Sequence, residues 1–174
     1  MHVPRQFALV ALAISLTAAT AAAEGSSPIQ ISLVTPVQIV KADKSVSGFR
    51  LNLIYGRNAD VTGIDWGIVN HVTGNGFAWQ DGFVNIVEKN FTGLQRGTVN
   101  MTRGEFTGLQ VGAFNQSDTG HGVALGVVNV SKHMRGLQFG LFNMTETMHG
   151  LQIGVGNVIQ KGKIPILPII NWSM

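Results

Sequence analysis

Apolar and small or polar residues alternate along most of the chain with a period of two, and the alternation restarts every 14 or 15 residues. The repeating unit is Gly-φ-x-x-Gly-x-x-Asn, where φ is apolar. It begins at Gly48, Gly63, Ala78 (in the glycine position), Gly93, Gly108, Gly122, Gly136 and Gly150. Its second glycines are Gly67, Gly82, Gly97, Gly112, Gly126, Gly140 and Gly154, and its asparagines are Asn70, Asn85, Asn100, Asn115, Asn129, Asn143 and Asn157. The first copy departs, with Asn52 and Tyr55 at those two positions. With the first glycine as position 0, positions 1, 3 and 5 are mostly apolar (Leu109, Val111, Ala113; Leu137, Phe139, Leu141). Positions 0, 2 and 4 are Gly, Gln and Gly. This is the pattern of a β-strand with one apolar face. Position 6 is apolar again (Val69, Val84, Val99, Phe114, Val128, Phe142), which predicts a bend or bulge near the asparagine. Polar turn formers such as Glu88-Lys89-Asn90 and Ser117-Asp118-Thr119-Gly120 separate one unit from the next. A glycine kept at one register predicts close backbone approach or a positive φ.

The spacing continues past the last clear copy. Ile164 lies 14 residues after Gly150, and Asn171 falls in the asparagine register, with Pro165 and Pro168 replacing the leucine and the second glycine. This segment is expected to be a degenerate ninth copy whose prolines cap an open edge. Residues 29–40, flanked or interrupted by Pro28 and Pro36, are expected to cap the other end. The predicted organisation is a leader over 1–23, a capping region over 24–47, eight repeats over 48–163 and a capping copy over 164–174.

Two all-β architectures accommodate the repeat, besides some other β meander. In a β-solenoid each repeat is one coil, coils stack about 4.8 Å apart, and equal positions form columns. The asparagines would then make one amide ladder. Gln80, Gln95, Gln110, Gln138 and Gln152 would make a second, incomplete one. In a small outer-membrane β-barrel each repeat is one antiparallel strand, apolar toward lipid, with Gly and Gln in the lumen. The solenoid is preferred. Neighbouring repeats are equivalent, Asp81 and Arg96 would face lipid in a barrel, and the prolines sit in the terminal copies.

Charge and composition narrow the function. Arg5, the apolar run Phe7 to Leu16 and Ala21-Ala22-Ala23 read as a secretory signal with Glu24 as the mature start. Charged residues make up 12% of the chain, well below the usual quarter, and glycine is abundant at 22 residues, favouring strands and turns over helices. The net charge of +3 comes from scattered Lys and Arg rather than a basic run, so nucleic acid is not an expected partner. The absence of cysteine excludes disulfides, thiolate metal sites, a cysteine nucleophile and a lipoprotein anchor.

At Gly93 to Asn100, Gly108 to Asn115 and Gly136 to Asn143 the chain resembles bacterial surface-repeat proteins that carry tandem Gly-Leu-Gln-x-Gly-x-x-Asn units behind a signal peptide. Residues 28–33 and 167–172 also resemble the ends of such proteins. The resemblance implies a cell-envelope location and no catalytic residues. Gln110-Val111-Gly112-Ala113-Phe114-Asn115 is similar to the core of curli repeats. Those repeats are longer and carry a further Gln and Ala register that is missing here, so the likeness speaks for stacking.

Candidate chemistry is sparse. His71, His121, His133 and His149 read as surface histidines, with Arg135 between His121 and His149 in one register. The carboxylates are expected to fall at different repeat registers, leaving no pair for acid–base work. Thr62, Thr92 and Thr107 read as part of a solvated strand face. Trp66, Trp79 and Trp172 are expected in the core, with glycan stacking or a membrane interface as the alternatives. The chain is therefore expected to be a non-enzymatic envelope protein with a structural or surface-interaction role, or else a barrel acting as pore or anchor. No catalytic, cofactor or metal residue is assigned. The partner is unknown, with the outer membrane or another envelope component in view. The place of action is the cell surface, the outer membrane or the periplasm.

Overall fold

The computed structural model describes residues 25–174; the leader over 1–23 and the expected junction at Glu24 lie outside the described residues. The described chain is all β. Its strands are β1 (Ser27–Val34), β2 (Val37–Gln38), β3 (Val46–Asn58), β4 (Val61–Val72), β5 (Gly76–Val87), β6 (Phe91–Arg96), β7 (Val99–Phe139), β8 (Phe142–Ile159) and β9 (Ile166–Ser173). They form one sheet in the order β2-β1-β3-β4-β5-β6-β7-β8-β9. β1 pairs β3 in parallel, and from β3 to β8 neighbours in the sheet continue in parallel with equal repeat positions opposite one another: Gly63 against Ala78, Gln80 against Gln95, Asn85 against Asn100, Leu137 against Leu151. This is a β-solenoid of about eight turns. The antiparallel neighbours that a barrel or meander requires are absent from this stack.

Each coil has two walls. One carries the first glycine and position 2, and the other carries the residue nine after that glycine, such as Thr102 or Ser131, with the asparagine between them in sequence. Buried apolar columns flank the polar ones: Val61, Val72, Val87, Phe91 and Phe106 pack together in the early coils, Met134, Met148 and Ile159 in the late ones. Phe91 and Phe106 stack with ring centroids 6.1 Å apart and planes 5° off parallel. Gly76 and Gly120 interrupt this column of large residues. A Cβ on Gly76 would lie 2.6 Å from the Phe91 ring, and one on Gly120 would lie 2.5 Å from Met134 Sδ. Small residues beside large ones keep the interior at close-packed density.

The interior is narrow enough for opposite walls to bond across it. Thr102 Oγ1 donates to Gln95 Oε1 at 3.2 Å, and Gln138 Nε2 to Ser131 Oγ at 3.1 Å. The apolar residues at positions 1, 3, 5 and 6 consequently face outward. Trp66, Trp79 and Trp172 are 40%, 44% and 59% exposed, so the expectation that they sit in the core is corrected. Thr92 is exposed on the same outer side, with Thr62 and Thr107 half-exposed.

The first copy departs in sequence but keeps the ladder in space. An irregularity between Asn52 and Tyr55 inserts an extra residue, so Asn52 pairs with Gly67 and Gly56 with Asn70. Asn and Gly have exchanged places. The Asn52 amide reaches across to Asn70 Oδ1 at 2.7 Å, through space that a Cβ on Gly56 would fill.

Both ends are closed by antiparallel strands, β2 on β1 and β9 on β8. Residues 164–174 are thus not a ninth parallel coil. Asn171 lies opposite Gln152 instead of continuing the asparagine column, and its amide donates to Ile164 O at 3.3 Å. The reason is local. Only residues 160–165 connect β8 to β9, and Pro165 and Pro168 lack the N–H groups a further ladder would use. Pro165 instead offers its carbonyl to Ile159 N at 2.8 Å. A reversed last strand containing a proline is a poor template for another in-register coil.

Candidate functional site

The recurrent residues are spent on coil-to-coil contact. From Asn52 through Asn143 each side-chain amide donates to the Oδ1 of the next asparagine at 2.7–2.9 Å, ending on Asn157. From Asn70 to Asn143 the same nitrogen also donates to a backbone carbonyl of the next coil at 2.7–3.0 Å. These asparagines are buried, and the carbonyl bond fixes which way each amide points. The second glycines clear the way for it: a Cβ on Gly112 would stand 2.6 Å from Asn100 Nδ2. The first glycines bring neighbouring backbones together, as expected. Gly63, Gly93, Gly108, Gly122, Gly136 and Gly150 all have φ between 110° and 147°.

The glutamine ladder contains residues that the sequence reading left out. Arg50 and Asp65 occupy position 2, directly in register with Gln80. Arg50 Nε and Nη2 each donate to one Asp65 oxygen at 2.7 Å, with both side chains fully buried. Gln80 Nε2 donates to Asp65 Oδ2 at 2.7 Å, Gln95 to Gln80 at 2.7 Å, and Gln110 to Gln95 at 2.8 Å. Every amide in this run thus turns its NH2 toward the carboxylate. Ala124 breaks the ladder, which resumes between Gln152 and Gln138 at 2.8 Å.

The carboxylates are more ordered than expected. Glu88, Asp118 and Glu146 share one register at the turn edge, where Arg103 and Lys132 stand on the intervening coils. Signs therefore alternate from coil to coil. Arg103 pairs with Glu88 at 2.6 Å, Lys132 with Asp118 at 2.8 Å and Lys161 with Glu146 at 2.8 Å. The Asp118 carboxylate, accepting from Lys132, raises that ammonium's pKa, and Lys161, donating to Glu146, lowers that carboxyl's. The Glu146 contribution is present above the ordinary carboxylate pKa and is lost as pH falls below it and through the lowered folded value. These pairs are solvent-exposed, so they set register more than they stabilise. Asp81 and Arg96 pair in the same way on the outer face. No two carboxylates are brought side by side at this edge, because a cation separates each from the next.

His71 differs from the surface histidine expected. It is half-buried, with Nδ1 2.8 Å from Tyr55 Oη and Nε2 3.0 Å from Glu88 Oε1. Hydroxyl, imidazole and carboxylate in a row can pass a proton. The backbone around them is committed to the parallel ladder, with Tyr55 opposite Val69 and His71 opposite Ile86. Those N–H groups are not free to stabilise an oxyanion. His133 and His149 are exposed, His121 half-exposed, and Arg135 lies opposite His149 on the neighbouring coil. Among the described residues no group of three or more His, Asp or Glu is placed to hold a metal ion.

The outer surface of the described residues offers an apolar groove, of about 380 Å³, along the last coils. Its floor is the second-glycine column (Gly126, Gly140, Gly154). Phe139 and Ile153 form one wall, Val127, Leu141 and Val155 the other, and Ile169 lies at its end. The groove exists because a glycine column between two apolar columns is a trough. The repeat rule that spaces these residues therefore also builds the groove. No protein-family model matches the chain, and no curated protein or solved structure is detectably similar to it.

Proposed function

We propose that this chain is a non-enzymatic scaffold of the bacterial cell envelope, exported by its N-terminal leader and acting through its outer surface. The observation that carries the reading is the use of the repeat residues. Asparagine, glutamine and both glycines are consumed inside the solenoid, so the repeated register builds a rod, and the Tyr55–His71–Glu88 row sits on backbone already committed to the parallel ladder. The leader pattern and the likeness to surface-repeat proteins support the compartment. The cysteine-free composition fits a scaffold held by ladders instead of disulfides. A parallel solenoid supports a peripheral or soluble envelope component over the pore or integral anchor of the barrel alternative.

The test is fractionation of cells producing the full-length chain, followed by a carbonate wash and gels run with and without boiling. The expected result is a product shortened by the leader, found in the envelope or periplasmic fraction, released by carbonate and unchanged in mobility on boiling. An unprocessed chain confined to the cytosol contradicts the reading. So does a carbonate-resistant band whose mobility shifts on boiling.

A further inference from the structure

The charge of the chain is not spread evenly along the rod. Over residues 25–118 basic and acidic side chains balance, whereas residues 119–174 hold Lys132, Arg135, Lys161 and Lys163 against Glu146 alone. Lys132 is ion-paired to Asp118 and Lys161 to Glu146, so the excess in the last coils and their cap rests on Arg135 and Lys163. The apolar groove lies in the same coils.

The two features share one face. On neighbouring coils Arg135 lies opposite His149, Leu137 opposite Leu151, and Phe139 opposite Ile153, and Trp172 of β9 extends the leucine column. Arg135, Leu137 and Phe139 point outward, while Met134 before them and Gln138 among them are buried. Lys163 borders the other end of this surface, lining a small depression with Trp172. At the rise of a β-strand, Arg135 stands about 13 Å from the Phe139 wall. That is the layout of an interfacial surface, with apolar side chains entering the acyl boundary, cations at the phosphates and an indole near the headgroups.

We propose that the last coils and β9 form a docking face for an anionic lipid surface. The groove walls, led by Phe139 and Leu141, enter the apolar layer, and Arg135 and Lys163 bind phosphate headgroups. Both wall residues are about half exposed, so a large apolar area is left uncovered in the free chain. A second copy is the less suitable occupant. Pairing this face with itself would set two positive surfaces together, whereas phosphates supply the complementary charge. The proposal rests on the scaffold reading, since it names the partner of that scaffold's outer surface.

Flotation of the purified mature chain with vesicles tests it, comparing phosphatidylcholine alone with phosphatidylcholine containing phosphatidylglycerol. The chain is expected to float with the anionic vesicles only. Leu141→Glu should abolish flotation, and Arg135→Glu with Lys163→Glu should weaken it by more than about tenfold, since each surface cation contributes roughly a fivefold factor. Phe83→Glu, at the same register in the electrically balanced coils, should leave flotation unchanged. Circular dichroism of each variant checks that it remains folded. Flotation with neither vesicle, equal flotation with both, or equal loss with Phe83→Glu overturns the proposal. So does a dimer in solution that hides the groove. If flotation fails while the chain still fractionates with the envelope, the lipid face falls and the scaffold reading stands.

Discussion

Replacing Asp65 by alanine is expected to destabilise the solenoid by about 3–5 kcal/mol, the cost of leaving a buried charge without its partner. Arg50 would keep a fully buried guanidinium whose Nε and Nη2 both donate to Asp65. Its Nη1 would retain only Asn58 Oδ1 at 3.3 Å and the His71 carbonyl at 3.1 Å. Gln80 and Asn52 would each also lose an acceptor, because both donate to the same carboxylate. The double replacement Arg50→Gln with Asp65→Gln should recover most of the loss. It extends the neutral ladder that already runs from Gln80 to Gln110, and buried ion pairs are often replaceable by neutral groups of similar size. Urea or thermal unfolding of the three proteins is the measurement. A loss below about 1 kcal/mol for Asp65→Ala would mean that water reaches the pair, contrary to its burial.

Gly136→Ala is expected to cost about 3–5 kcal/mol, combining backbone strain with overpacking. Gly136 has a φ of 128°, and a Cβ there would overlap the Gly122 carbonyl oxygen on the preceding coil. The overlap is with backbone held in the ladder, so no side chain can swing aside. Ala78 supplies the contrast. It occupies the first-glycine register, yet among described non-glycine residues only Ile169 has a positive φ. The chain thus accepts a methyl group at one coil by taking a different backbone conformation. Ala78→Gly should accordingly change stability by less than about 1 kcal/mol. Comparable unfolding midpoints for Gly136→Ala and the parent chain would show that the late coils can adopt the Ala78 conformation too.

The period, the asparagine column and most of the glutamine column were legible in the sequence for a physical reason. In-register parallel stacking sets the same environment at each repeat position, so like residues recur and can ladder. Other features required knowing which side of the strand faces in. Alternation shows which residues share a face, and the usual preference for buried apolar groups places Trp66 and Trp79 inside. Here the interior is narrow enough for Gln95 and Gln138 to bond Thr102 and Ser131 across it, and Asn, Gln and the Val, Phe and Met columns fill it, leaving no room for the indoles. Arg50 and Asp65 carried a readable signal, their common offset from the first glycine. Charged residues are seldom fully buried unless paired, so the amide ladder does not by itself point to them. The alternating column of Glu88, Arg103, Asp118, Lys132 and Glu146 was readable in the same way, once charges were sorted by register instead of by type. The reversal of β9 had no such signal beyond its prolines, because Asn171 keeps the spacing while changing its partner.

The central claim is the parallel, in-register stacking of coils, and engineered disulfides test it most directly. The chain has no cysteine, so an introduced pair reacts without competition. Thr92 and Thr107 are register partners with outward side chains. Adjacent strands lie about 4.8 Å apart, within disulfide reach. Ala113 lies six residues further along the coil than Thr107, about 20 Å at the rise of an extended strand. Under mild oxidation Thr92→Cys with Thr107→Cys should close a disulfide that retains the native circular dichroism, while Thr92→Cys with Ala113→Cys should remain reduced. Closure of the second pair and not the first would contradict the solenoid, and with it the scaffold built upon it.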